Sequence, residues 1–395
     1  MKTVRFGEAK KISFFAPLFF AFSLLACNPS NGSDPSPVDP NAVPLAGYSN
    51  RVVLDWNEMA FRAMGGPTYQ HSLLASRINA MTHLAMHDAL NAVAPGYQTY
   101  ALQRRDAAAE PVAAAASAAH AVLTASFPDK KAMLDSALAQ SLAGIPGGNA
   151  LNRGLALGQE AAAAILTRRG GDGALDNPIA PIVPSAEAGV YQAVPPFDFV
   201  FAPFWKTMRP FGLQRPDQFR VAPQPALNSA VYARDFDEVR TMGDKKSTKR
   251  TADQTAYAQF WYEFSEIGWN RVARTVAANR KLNLLATARL FALLNIALAD
   301  SYTAGWDSKF HYNFWRPFTA IRGAATDGNA ATAPDATWEP MLPTPPVHDY
   351  PSTHSALGNA AATVLAHVLG DTTPFAMTSL TANPAGSTRS FTRFS

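Results

Sequence analysis

The segment from Leu282 to Lys309 constrains this chain more than any other. Drawn as a helix, it carries apolar residues on nearly every face: Leu284, Leu285, Leu290, Phe291, Leu293, Leu294, Ile296 and Leu298. A helix with no polar face needs neighbours all around it, so it belongs in the middle of a helical bundle. The rest of the chain can supply those neighbours. Helical periodicity runs over Arg51–Met64, Tyr69–Val93, the Ala-rich Ala113–Ala125, Asp129–Leu142 and Ala150–Arg168. Thr251-Ala252-Asp253-Gln254 has the form of a capping box and is expected to open a helix that carries Phe260-Trp261. The Ala- and Leu-rich run that ends at Leu369 reads as a further helix. Few stretches alternate with period two, and no long internal repeat occurs. The expected fold class is all-α, a helical bundle.

Composition matters chiefly at the N-terminus. The formal net charge is +4 over 395 residues. Lys2, Arg5, Lys10 and Lys11 stand against Glu8 in the first 26 residues, so the remainder is near neutral and no basic surface for nucleic acid is expected. The apolar run Ile12–Ala26 is too short for a membrane-spanning helix, which needs about 20 residues, and has the size of a signal-peptide core. Leu24-Leu25-Ala26-Cys27 resembles a bacterial lipobox, with the chain's single cysteine at the lipidation position. We therefore expect residues 1–26 to be a signal peptide and residues 27–47, rich in Pro, Ser and Asn, to be a lipid-anchor tether. Residues 48–395 would form the folded domain. The expected location is the bacterial envelope, outer membrane or facing the periplasm, with contact to the membrane through the N-terminal lipid.

Residues 174–225 are proline-rich and aperiodic, which marks a functional loop or one packed over the core. The run from Asp244 to Arg250 reads as a solvated turn. His83 and His87 are spaced i and i+4 as in zinc helices, but the glutamate of His-Glu-x-x-His is missing, so core or supporting roles are expected.

The chemistry gathers between residues 306 and 355. Lys309 and Arg316 are seven apart, two turns of one face if the helix continues, and Pro317 favours an end near Arg316. Two cations so placed, one of them a bidentate fork, suit a tetrahedral oxyanion. Downstream, Tyr350-Pro351-Ser352-Thr353-His354-Ser355 precedes a helix. Ser352 and Thr353 would put a hydroxyl and free N–H groups at its N-terminus, where anions bind, and His354 in the first turn would move protons there.

Lys-x6-Arg-Pro followed by Pro-Ser-x-His resembles the vanadium-dependent haloperoxidase and phosphatidic acid phosphatase type 2 superfamily. The likeness runs from about Arg51 to the C-terminus and is nearest the bacterial haloperoxidase-like branch, through Phe314-Trp315-Arg316-Pro317. It implies vanadate as cofactor, held by Lys309, Arg316, Ser352 and the Thr353 N–H, or phosphate in a phosphatase member. His354 would be the acid–base residue, Lys309 would polarise bound peroxide, and Trp306 would line the pocket. His348 would stand near the halide and favour bromide or iodide. Hydrogen peroxide and a halide or organic acceptor would be the reactants, and a homodimer is compatible with related proteins. Two positions depart from the pattern. Thr353 replaces glycine, which adds a β-branched side chain beside the oxyanion. No histidine follows His367, and no Ser-Arg-x5-His occurs. The expectation is a chain truncated before that motif, with the axial histidine beyond residue 395. A phosphomonoesterase of the same superfamily, and a non-catalytic envelope lipoprotein that lacks the third motif, are the alternatives.

Overall fold

The computed structural model describes residues 45–66 and 71–395. The expected signal peptide, Cys27 and nearly all of the expected tether lie outside the described residues. Eleven α-helices are described, and the all-α expectation holds. α1 is Arg51–Ala63, α2 Ser72–Val93, α3 Pro111–Ser126, α4 Lys131–Leu142 and α5 Asn149–Arg169. α6 is Ala230–Gly243, α7 Ala252–Phe260, α8 Ser265–Asn279, α9 Leu284–Tyr312, α10 Pro317–Arg322 and α11 Thr353–Leu369. Two antiparallel ribbons accompany them. β1 (Ile179–Pro181) pairs with β2 (Phe199–Phe201), and β3 (Phe375–Thr378) pairs with β4 (Thr388–Phe391).

α9 is the central helix. It packs against α1, α2, α8 and α11. By length and hydropathy it could cross a membrane, yet 72% of its most apolar window is buried among its neighbours. Its start is capped by the Asn283 side chain, which accepts from the Ala286 N–H. α2 is buried along almost its whole length. His83 is fully buried, stacks on Phe291 and bonds to Asn57, and burial pushes its pKa down to about 3. His87 instead turns towards Asp88 and Tyr97. The two histidines therefore take separate partners.

α3 and α5 approach so closely that two positions admit no side chain. A Cβ on Gly158 would stand 2.4 Å from the Ala114 carbonyl oxygen and 2.6 Å from Ser117 Cβ. One turn earlier, a Cβ on Gly154 would meet the Glu110 carbonyl at 2.5 Å. Alanine in a helix interior normally gains about 1 kcal/mol over glycine. Here the obstacle is backbone, which cannot rotate away. Gly158→Ala should therefore lower stability, by about 1–3 kcal/mol as in overpacked cores, measured by chemical denaturation.

Several sequence expectations need correction. The capping box at Thr251 and Gln254 is formed, but α7 stops at Phe260 and Trp261 is its C-cap rather than part of the helix. α6 and the β3–β4 ribbon were not anticipated. The most consequential difference is the end of α9. Asn313 adopts the left-handed conformation at φ 49° and closes the helix, its N–H on the Lys309 carbonyl. Arg316 then caps α10 in extended geometry, with Pro317 as its first residue. Lys309 and Arg316 thus do not share two turns of one helix face.

Candidate active site

Three chain segments, remote in sequence, are sewn together around the end of α9. The Tyr191 N–H donates to the Asn313 carbonyl at 2.9 Å, and the Trp315 N–H to Gly189 at 2.9 Å. The Asp349 N–H donates to the Phe314 carbonyl at 3.0 Å. Residues 189–191, 313–316 and 347–349 therefore form one backbone frame.

Both predicted cations reach into this frame. Lys309 Nζ donates to the His348 and Asp349 carbonyls at 2.8 and 2.7 Å. Arg316 Nε donates to the Val347 carbonyl at 2.5 Å, and one terminal nitrogen reaches the Asp349 carboxylate at 3.2 Å. Lys309 is 2% exposed. Burial and the neighbouring Arg316 charge bring its pKa down to about 7, against a weaker opposing pull from Asp349. Arg316 is pushed down by the same burial and stays charged. Two carbonyls leave one of the three lysine N–H groups uncommitted. The second terminal nitrogen of Arg316 has no hydrogen-bond partner among the described residues.

Two further groups sit beside these cations. Among the described residues, the Tyr191 hydroxyl and His348 Nδ1 are buried without hydrogen-bond partners. Their rings lie 4.6 Å apart, and Phe310 closes on His348 at 4.4 Å. Arg316 acts electrostatically on both, and Lys309 and Lys206 act on His348. Burial, reinforced by those charges, lowers His348 to about 3, so its imidazole is neutral. Unpartnered buried polar atoms are costly, about 1–3 kcal/mol each. Two of them against two cations with spare N–H groups suit a ligand rich in oxygen. The residues present therefore fit an oxyanion such as vanadate or phosphate.

The third element is the start of α11. Ser352 is its N-cap, its hydroxyl accepting from the Ser355 N–H at 3.3 Å, and Thr353 is the first helical residue. His354 is exposed at the surface, and its Nε2–H donates to the Glu263 carbonyl at 3.0 Å. That bond assigns the tautomer and leaves Nδ1 as the basic nitrogen. Glu263 is itself held by Arg271, at 2.9 Å, and by the Leu380 N–H at 3.0 Å. Trp306 is buried in the main core. Its indole N–H donates to the Phe201 carbonyl at 3.2 Å, which ties α9 to β2. His311 is exposed against Tyr312. Sequence reasoning missed Tyr191 and Asp349. The only signal for Tyr191 was its place in the aperiodic, proline-rich 174–225 segment.

Residues 289–394 match the family model described as the VCPO second helical-bundle domain. The vanadium chloroperoxidase of Curvularia inaequalis is 32% identical over 195 residues, 42% of this chain and 32% of that protein. The match thus spans about a third of the curated relative's length. Among solved structures, a bacterial vanadium-dependent iodoperoxidase aligns with a TM-score of 0.73 and 24% identity, over 88% of this chain and 87% of the other. A bacterial vanadium-dependent chloroperoxidase aligns with a TM-score of 0.64 and 16% identity, over 82% and 83%. The matched second bundle holds Lys309, Arg316, Ser352 and His354, and most of the chain shares the fold of bacterial vanadium-dependent haloperoxidases of known structure.

Proposed function

We propose that this protein is a vanadate-dependent haloperoxidase that oxidises halide with hydrogen peroxide. The observation that supports it is the convergence of Lys309 and Arg316 on one backbone frame, with the unpartnered Tyr191 hydroxyl and His348 Nδ1 beside them. Lys309 and Arg316 would hold the anion through charge and their uncommitted N–H groups. Ser352 and the Thr353 N–H would add donors at the start of α11. Vanadate held there would supply a Lewis-acidic centre for activating peroxide. His354, fixed through Nε2 on the Glu263 carbonyl, would take and return a proton at Nδ1. The neutral His348 imidazole, wedged between Tyr191 and Phe310, would face the halide.

Assay of the full chain with peroxide and bromide, with and without added vanadate, tests this reading. Vanadate-dependent bromide oxidation is the expected result. Phosphomonoester hydrolysis that vanadate inhibits would replace the reading with a phosphatase. No turnover of either kind, even with the full native C-terminus present, would leave a non-catalytic envelope protein. On the leader alone we further propose export and lipid attachment at Cys27. Mass spectrometry of the protein extracted from membranes should find Cys27 as the N-terminal, acylated residue, and an unmodified Cys27 would rule the anchor out.

A further inference from the structure

A second, smaller core lies beside the oxyanion frame. Tyr232 and Phe236 of α6 pack there against Trp315 and against Ala320 and Ile321 of α10. This core is not closed. A cavity of about 210 Å³ opens between the two helices and the Gln224-Pro225 segment. Its walls are mostly apolar, with Phe236, Phe314, Pro317 and Ile321 among them. An apolar cavity of ~150 Å³ already admits benzene, so one substituted six-membered ring fits here.

The polar atoms of the wall distinguish this cavity from a packing defect. Gln224, Tyr232 and Trp315 are among the residues that line it, and each carries a buried polar atom: the glutamine carbonyl oxygen, the hydroxyl and the indole N–H. All three atoms are buried, and none has a hydrogen-bond partner among the described residues. Tyr232 and Trp315 are 7% and 2% exposed. They are close enough for the indole N–H to favour the phenolate slightly, but not placed to complete a bond to each other. Burial and Asp327 outweigh that influence and keep Tyr232 as a neutral phenol. Buried polar groups in native folds are nearly always paired, so three orphans around one cavity indicate a missing partner. The indole N–H calls for an acceptor and the glutamine oxygen for a donor. A hydroxyl does both.

Charge narrows the ligand further. The ionisable carboxylates in the wall are Asp235 and Asp349, engaged by Arg234 and Arg316 respectively. Among the described residues, no lysine, arginine or histidine lines the cavity. An anionic ligand would be desolvated there without a counter-charge. The position is equally informative. Trp315 and Pro317 flank Arg316 in sequence, and Asp349 is the residue that Arg316 grips, so the cavity shares a wall with the oxyanion frame.

We propose that this cavity binds a neutral hydroxylated aromatic ring of the phenol class, which serves as the organic acceptor of the oxidised halide. The acceptor role rests on the haloperoxidase reading, whereas the binding does not. The test is calorimetric titration of the full chain, without vanadate or peroxide, with phenol, toluene and benzoate. Phenol should bind about tenfold more tightly than toluene, one hydrogen bond's difference, and benzoate should not compete. In Tyr232→Phe that tenfold advantage of phenol should be lost while toluene binding is kept. Gln224→Leu should weaken phenol in the same selective way. Ala320→Leu, which narrows the cavity, should weaken both rings. Absence of phenol binding, benzoate binding as tight as phenol, or unchanged phenol affinity in both Tyr232→Phe and Gln224→Leu would overturn the proposal. Iodide oxidation, followed without any organic acceptor, separates the two readings. Oxidation without phenol binding overturns the site and leaves the haloperoxidase reading intact. Phenol binding without oxidation supports the site as a ligand pocket and overturns that reading together with the acceptor role.

Discussion

Replacing Asp172 with alanine should destabilise the fold by about 3–5 kcal/mol, the usual cost of stranding a buried charge. Asp172 Oδ2 receives Arg77 Nε and Arg169 Nε, each at 2.8 Å. All three side chains are at most 8% exposed. Arg169 spends its other donors on the Pro210 and Arg209 carbonyls and lies over the Phe211 ring at 3.8 Å. Without Asp172, two guanidinium groups would remain in a dry interior without the carboxylate that both of them hold. The damage should spread along the chain. The Phe211, Gly212 and Leu213 N–H groups all converge on Asp300 of α9, the helix that carries Lys309. The measurement is the denaturation midpoint of Asp172→Ala beside Asp55→Ala. Asp55 pairs with Arg51 on an exposed face of α1, and its loss should cost under about 0.5 kcal/mol. Equal effects in the two variants would refute this account.

Lys309→Met should lower halide oxidation by about 10²–10³-fold while leaving the helical content unchanged. That is the usual cost of removing one charged donor from a preorganised anion site. The pH profile carries a sharper signature. In the free protein Lys309 has a pKa of about 7. An anion requires the protonated form, so its affinity should fall as pH rises above about 7, by up to tenfold per unit. In Lys309→Met the affinity is already low, and that slope should be absent. The sign for folding is opposite. Because the unfolded chain holds this proton up to about 10.5, the shift penalises folding fully below about pH 7, and that penalty is relieved as pH rises from about 7 to 10.5. Phosphate titration by calorimetry between pH 6 and 9 checks the affinity slope. A flat profile in the wild-type protein would remove Lys309 from the site.

The helices were legible because their signals are local. The all-apolar run within Leu284–Tyr312 required a surrounded helix, and the Thr251–Gln254 capping box marked the start of α7 to the residue. α6 escaped because its inward stripe is narrow. Tyr232 and Phe236 are its only buried residues, and they sit on an otherwise charged segment. The β3–β4 ribbon escaped because each strand has four residues, too few to show a period.

The site divides along the same line. The order Lys309, Arg316, Ser352, His354 was readable, since each residue type has a chemical use at its spacing. Their meeting point was not. A two-turn spacing on one helix predicted a shared face. Instead Asn313 turned left-handed, and the cations met on the carbonyls of residues 347–349. Tyr191 arrived at the site through a backbone bridge to residue 313, more than a hundred positions away. By itself the sequence determined which segments are helices and which side chains carry charge, because periodicity and residue type act over a few neighbouring positions. The tertiary structure alone decided which cations converge, which polar atoms remain unpaired and where a cavity stays open. Those outcomes depend on hydrogen bonds and packing between segments with no local mark of one another.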